Sequence, residues 1–187
     1  QRQMCIRDST YSFINDFSSL DSEENNSFKD ELLEAKTESG ICKVLCYSPN
    51  HSLTMPLMSI EEIILIIELW QEEYEKLSLL KSINHIQIFE NKGELMGCSN
   101  PHPHGQIWAQ KSIPKESLKK QFHQKEYFKK NNKSLLLSYI MQELKVQERI
   151  IYQNDSFVAL IPFWATWPYE TMIVPKIHHK SILELSK

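Results

Sequence analysis

Hydrophobic and polar positions fall into short alternating blocks around one long helical stripe. Thr10–Phe17 alternates in part and is rich in aromatic residues, which predicts a strand running into a polar turn at Asn15-Asp16. The acidic, Asn- and Ser-rich stretch 18–28 predicts a loop. Ile41–Tyr47 is a short apolar run and predicts a buried strand, with Cys42 and Cys46 as small buried side chains within it. Ser59 opens the clearest helix. Ser59 and Glu62 form a capping-box pattern, and Ile60, Ile63, Ile64, Ile67, Tyr74 and Leu77 hold a helical stripe. Ile86–Glu90 predicts a strand, Asn91-Lys92-Gly93 a turn, and a further strand ends near Ala109. Helices follow from Pro114 to Lys130 and over Ser134–Glu148. Strand character returns at 150–153, 157–161 and 171–174, punctuated by Pro162, Pro168 and Pro175, and a last helix starts near Leu183. Helices flanking strand pairs without regular βαβ alternation predict an α+β fold.

Composition changes this picture in four places. A net charge of −3 excludes the global basic field that nucleic-acid binding uses. The longest apolar run, within Ile60–Leu69, is broken by Glu61, Glu62 and Glu68, far short of the ~20 residues of a membrane span. Four cysteines at irregular spacing do not form a disulfide scaffold and point to a reducing cytoplasm. The lysines from Lys115 to Lys133 alternate with Glu116, Glu126 and other polar residues, so they read as a solvated helix face rather than a phosphate patch. The two ends also stand apart. Gln1–Ser9 holds Arg2 and Arg7, Arg149 being the only other arginine, and Met4–Ser9 resembles the translation of a library-preparation adaptor. Residues 1–9 are therefore expected to be foreign, and the chain to be a fragment.

Candidate chemistry gathers in one window. Three of the four glycines, Gly93, Gly97 and Gly105, surround Asn100-Pro101-His102-Pro103-His104-Gly105-Gln106. On a strand, His102, His104 and Gln106 emerge from one face, so the expectation is two imidazoles and an amide presented together at a strand edge. A neutral imidazole nitrogen can attack phosphorus without a separate base. An amide such as that of Gln106 can stabilise a developing phosphoryl charge, an effect worth roughly 3 kcal/mol for one such donor. Structural or metal-bound histidines are the competing reading.

The run Phe89-Glu90-Asn91-Lys92-Gly93, Met96-Gly97-Cys98-Ser99 and Asn100 through Ala109 resembles the galactose-1-phosphate uridylyltransferase family of the histidine-triad superfamily. The resemblance extends through Phe13–Phe17, Ser48–Ser52, Trp70-Gln71-Glu72 and Pro162–Thr171. It implies a histidine-triad-like antiparallel sheet with flanking helices. It implies a catalytic domain over 10–149 and the start of a second such domain over 150–187. The activity implied is exchange of UMP between UDP-glucose and galactose-1-phosphate by a ping-pong route through uridylyl-His104, with Gln106 on the phosphoryl oxygen. Asn15, Asp16, Asn91, Gly97, Cys98, Ser99 and Gln106 match nucleotide-sugar-binding positions. His51 and His102 match two of four ligands of a structural zinc, the others being a Cys-x-x-Cys pair that Cys42 and Cys46 do not supply. A second metal is not expected, since Lys120 stands at the position of its glutamate ligand, and His123, His178 and His179 do not replace the rest. The resemblance further implies UDP-glucose, UDP-galactose and hexose-1-phosphates as small-molecule partners, a homodimer, and a cytoplasmic enzyme with no nucleic-acid or membrane partner.

Two other readings compete. One is a nucleotidyltransferase or phosphorylase acting on ADP-glucose or a dinucleoside polyphosphate, which shares the His-x-His-x-Gln element. The other is a non-catalytic, truncated chain that at most binds nucleotide sugar.

Overall fold

The computed structural model describes residues 10–20, 27–98 and 100–186. The segment 1–9, expected to be foreign, and Ser99 lie outside the described residues. The chain separates into two compact units, Gln1–Pro114 and Lys115–Lys187.

In the first unit, β1 (Tyr11–Ile14), β2 (Ser27–Lys29), β3 (Glu34–Lys36) and β4 (Gly40–Cys46) precede α1 (Ile60–Ser78), followed by β5 (His85–Phe89) and β6 (His104–Gln110). Four of these strands form an antiparallel sheet in the order β1-β4-β6-β5. β2 and β3 pair separately as a hairpin, which starts at the end of the loop expected over 18–28 and which the sequence did not predict.

α1 starts as its sequence predicts. The Ser59 N–H donates to Glu62 Oε2 at 2.7 Å and the Glu62 N–H donates to Ser59 Oγ at 3.2 Å, closing a capping box. Its buried face is the expected one only in part. Leu77 is buried and Ile63 packs on the core as expected, but Ile66, Leu69 and Glu73 are buried too, while Ile60 and Ile64 are exposed. The early turns of α1 are apolar nearly all round, so periodicity does not single out one stripe. A polar contact lies on the same face: Lys43 of β4 pairs with the buried Glu73 carboxylate beside Ile66, Leu69 and Leu77, which pack on the sheet. Against them lie Leu45, Ile107 and Ala109, and full burial of a side chain such as Ile107 contributes about 1.5–3 kcal/mol.

The second unit holds α2 (Lys115–Asn131), α3 (Leu135–Val146), β7 (Ile150–Gln153), β8 (Phe157–Leu160) and β9 (Met172–Pro175). The strands form an antiparallel sheet in that order. α2 buries no residue, as expected of a solvated lysine-rich face, and carries the pairs Lys129–Glu126 and Lys119–Glu116 at 2.8 and 4.0 Å. α3 is capped by Ser134 Oγ, which accepts from the Leu137 N–H at 3.3 Å. Its Ile140 packs on Val158, Leu160 and Val174. Glu143 is also buried, and both its oxygens accept from Arg149 Nε at 2.9 and 3.0 Å.

These contacts place the boundary at 114/115 rather than at 149/150. Strand character does resume at Ile150, but α3 is the cover of that sheet and so belongs with it. The last helix expected near Leu183 is a single 3₁₀ turn, Ile182–Glu184.

Candidate active site

The strand β6 has two unlike faces. Gly105, Ile107 and Ala109 point into the core beneath α1, whereas His104, Gln106 and Trp108 are half-buried on the other side. Trp108 meets Phe89 edge to face at 6.0 Å. His104 and Gln106 thus share a face, as the sequence predicted. His102 does not join them. It precedes the strand, in a bend held by its own N–H donating to Asn100 Oδ1 at 3.0 Å. The ladder opens only at Pro103, whose carbonyl accepts from the Tyr47 N–H at 3.0 Å. Nor is β6 a sheet edge, because it lies between β4 and β5. The site forms where β6 enters the sheet, at the end of an interior strand.

That bend sets the chemistry of His104. The His104 Nδ1 lies 2.7 Å from the His102 carbonyl oxygen. A carbonyl can only accept, so Nδ1 carries the proton and the neutral ring keeps its lone pair on Nε2. The strand therefore presents a nucleophilic nitrogen with its tautomer set by backbone.

A cavity of about 740 Å³ opens beside it. Asn91, Gly97, Cys98, His102 and His104 line it, all of them expected site residues. Gly93, one of the clustered glycines, lines it as well, as do Leu53, Thr54, Glu90, Lys92 and Glu94, none of which sequence reasoning singled out as site residues. Glu90 and Lys92 were visible only as parts of the Phe89–Gly93 run. Burial raises the Glu90 carboxyl above its ordinary value, against the opposing pull of Lys92 and His104. Gly97 adopts φ 80°, a left-handed conformation that closes the turn over Glu94–Met96, and the Gly97 N–H donates to the Glu94 carbonyl at 2.9 Å. The Cys98 thiol donates to the Asn100 carbonyl at 3.0 Å, so its visible role is to hold this loop.

Gly105 answers a different need. A Cβ there would stand 1.9 Å from the Tyr47 hydroxyl and 2.7 Å from its ring. The glycine lets Tyr47 pack directly beneath the strand that carries His104. Tyr47 is itself buried against Trp70, edge to face at 6.1 Å, and burial pushes its phenol well above the ordinary range.

Asn15 and Asp16 do not reach the cavity. The ladder continues to Asn15, whose N–H donates to the Cys42 carbonyl at 2.9 Å. Cys42 pairs with Trp108, so Asn15 shares the face of His104 but sits four residues along and two strands across. That is roughly 16 Å at ordinary strand spacings. Asp16 is exposed in the turn beyond. Gln106 lies beside His104 but outside the cavity lining.

His51 and His102 do come together. Their Nδ1 atoms are 2.9 Å apart and their ring centroids 4.4 Å. His102 is 2% exposed, and its Nε2 makes no hydrogen bond of standard geometry. Burial holds its imidazole below the ordinary value, with His51 and His104 adding to the effect and the Ser48 backbone opposing it. Among the described residues no third histidine, cysteine or carboxylate completes a metal-binding group with them.

Comparison with known proteins bears on both units. The family described as galactose-1-phosphate uridyl transferase, N-terminal domain, matches residues 1–114, and its C-terminal domain counterpart matches 119–187. The chain is 43% identical over 178 residues to a galactose-1-phosphate uridylyltransferase of Haemophilus influenzae, covering 94% of this chain and 50% of that protein. It is 40% identical over 197 residues to the protein of that name in Schizosaccharomyces pombe, covering 96% and 53%. The Rattus norvegicus protein is 39% identical over 181 residues, with 96% and 47% covered. The chain spans about half the length of these curated relatives. In fold it is similar to a solved uridylyltransferase at a TM-score of 0.87 and 24% identity, covering 95% of this chain and 57% of that one. It also resembles in fold an ADP-glucose phosphorylase from Arabidopsis thaliana with bound ADP-glucose, at a TM-score of 0.79 and 24% identity, covering 95% and 54%.

Proposed function

The chain belongs to the galactose-1-phosphate uridyl transferase family, and from that premise we propose that its protein exchanges UMP between UDP-glucose and galactose-1-phosphate through a uridylyl-His104 intermediate. The observation that carries this reading is the bond from His104 Nδ1 to the His102 carbonyl, which leaves Nε2 as an unprotonated nucleophile beside a cavity.

In the first half-reaction the Nε2 lone pair bonds to the α-phosphorus of UDP-glucose. The bond from that phosphorus to the bridging oxygen breaks, and glucose-1-phosphate leaves with the electron pair. In the second, a phosphate oxygen of galactose-1-phosphate attacks the same phosphorus and the N–P bond breaks, returning the lone pair to Nε2. Two similar displacements replace one termolecular exchange. Gln106, on the same face as His104, is proposed to donate to a non-bridging oxygen. Asn91, Gly97, Cys98 and Ser99 are proposed to hold the nucleotide sugar near the cavity, with Asn15 and Asp16 reaching a more distant part of it.

A structural zinc at His51 and His102 belongs to the same proposal. Two imidazole nitrogens on one tetrahedral zinc stand about 3.3 Å apart, close to the 2.9 Å between the Nδ1 atoms here. The pair fits half of a four-ligand site. When bound, such an ion holds its ligands rigidly. His102, through its own carbonyl, then holds the His104 tautomer. A homodimer and a cytoplasmic location complete the reading, on family membership alone. Among the described residues no helix is long and apolar enough to cross a membrane.

The test is to incubate the protein encoded by the complete gene with UDP-glucose labelled at the α-phosphorus. The expected result is label on His104 that galactose-1-phosphate removes as labelled UDP-galactose. Label transferred only from ADP-glucose, or released only by inorganic phosphate, overturns this reading in favour of a related nucleotidyltransferase or phosphorylase.

A further inference from the structure

The cavity wall carries a carboxylate that the mechanism above does not use. Glu90 follows directly on β5, where the chain leaves the ladder after Phe89 pairs with Gln106, and its backbone runs beside Gly105 at the mouth of β6. The Phe89 carbonyl approaches Gly105 closely enough to stand 3.0 Å from a Cβ placed there. Glu90 and His104 line the same cavity.

The charges around Glu90 are few. Lys92, exposed, acts on it as a cation, a charged His104 ring pulls in the same direction, and Tyr47 below offers a phenol kept neutral by burial. Burial outweighs these attractions, and with the His104 ring neutral in the free protein only Lys92 is charged, so this anion is under-compensated.

The covalent step supplies what is missing. When Nε2 bonds to phosphorus while Nδ1 keeps its proton, the neutral imidazole becomes a cation. We propose that Glu90 is the counter-charge of that cation, a positioning residue whose carboxylate stabilises uridylyl-His104 relative to the free enzyme. The anion is already in place and desolvated before the charge develops, which is the arrangement in which electrostatic stabilisation is largest. This inference rests on the uridylyl-transfer reading and adds a residue to it. Lys92 competes for the same carboxylate and therefore opposes the effect.

The experiment measures the ratio of uridylyl-enzyme to free enzyme in the full-length protein, at fixed UDP-glucose and glucose-1-phosphate. Glu90→Gln keeps the shape and removes the charge, and it is expected to shift this ratio about tenfold toward free enzyme. Glu90→Asp retains most of the wild-type ratio. Lys92→Met moves the ratio the other way, toward uridylyl-enzyme, a direction that a merely structural contribution of these residues does not produce. An unchanged ratio in folded Glu90→Gln overturns the proposal. If that variant does not fold, an unchanged ratio in Lys92→Met does so instead. Absence of label on His104 in the wild type is a separate failure: it removes the uridylyl-transfer reading, and this inference with it.

Discussion

The two units of this chain use one structural device in two ways. In each, a helix covers one face of an antiparallel sheet and buries a carboxylate against a cation: Glu73 with Lys43 in the first, where Lys76 also lies 3.7 Å away, and Glu143 with Arg149 in the second. In each, a small apolar cluster seals the contact, around Ile66 and Ile107 in one and around Ile140 and Val158 in the other. The described cavity lined by His104 belongs to the first unit. The difference lies in what enters the sheet. β6 is preceded by a bend whose carbonyl sets the His104 tautomer, and Gly105 makes room beneath it for Tyr47. Architecture is shared, and the chemistry is grafted onto the mouth of one strand.

The sharpest way to break this comparison is to remove the graft and leave the architecture. His104→Ala, at a half-buried position outside the packed core, is expected to abolish uridylyl transfer. A loss on the order of 10⁴-fold or more follows from deleting a covalent nucleophile. Turnover of the purified protein and labelling by UDP-glucose both report it. Turnover within tenfold of wild type removes His104 from the mechanism.

The converse change strikes architecture alone. Ile140 is 1% exposed in the cluster that holds α3 on the second sheet. Ile140→Ala is expected to lower the stability of that unit by about 3 kcal/mol through lost transfer energy and a residual cavity. Urea denaturation followed by the fluorescence of Trp164 and Trp167 measures it. A loss below about 1 kcal/mol shows that the sheet is not held by this cluster.

Gly105→Ala falls between the two, because this residue belongs to both strand and site. The added methyl meets the Tyr47 hydroxyl at 1.9 Å, so either Tyr47 or the strand shifts. Overpacking of this kind is expected to destabilise by about 2 kcal/mol. It also displaces His104, the next residue, and turnover falls with it. Gly105→Ala combined with Tyr47→Leu recovers part of the stability, which a double-mutant cycle reads directly.

Much of this was legible in the sequence, but unevenly. The capping box at Ser59 and the strand at His104 are written in local chemistry, and both appear where expected. The buried face of α1 was legible only in part, because its apolar first turns offer several stripes and its buried Glu73 is matched by Lys43, thirty residues earlier in the chain. His102 departs from the strand face for a comparable reason. Period-two alternation holds only within a ladder, and the ladder starts at Pro103. The meeting of His51 and His102 followed from family resemblance and not from spacing. Glu90 escaped notice because nothing local marks a carboxylate as close to a histidine fourteen positions on. They come together only in the folded chain, where the end of β5 and the start of β6 line one cavity.

Glu90 also gives the smallest prediction and the finest test of the comparison. Glu73 and Glu143 are buried with a cation in direct contact, whereas Glu90 faces Lys92 and His104 without full compensation. Its carboxyl titrates above its ordinary value in the folded state, so the folded state binds more protons than the unfolded one as pH rises from about 4.5. The sign follows from the linkage relation: this group takes stability away across that window, and the loss is complete once pH exceeds the folded value. Glu90→Gln removes the penalty. The difference in stability between variant and wild type is expected to grow from pH 4.5 upward and to favour the variant at pH 7, by a fraction of a kcal/mol once solvent screening of a half-buried group is allowed for. Urea midpoints of the two proteins, measured side by side across that range, decide the matter. A variant less stable than wild type at pH 7 shows that Glu90 is one more structural carboxylate, like Glu73 and Glu143. A variant that is more stable, yet forms less uridylyl-enzyme, separates the carboxylates that hold the fold from the one that serves the reaction.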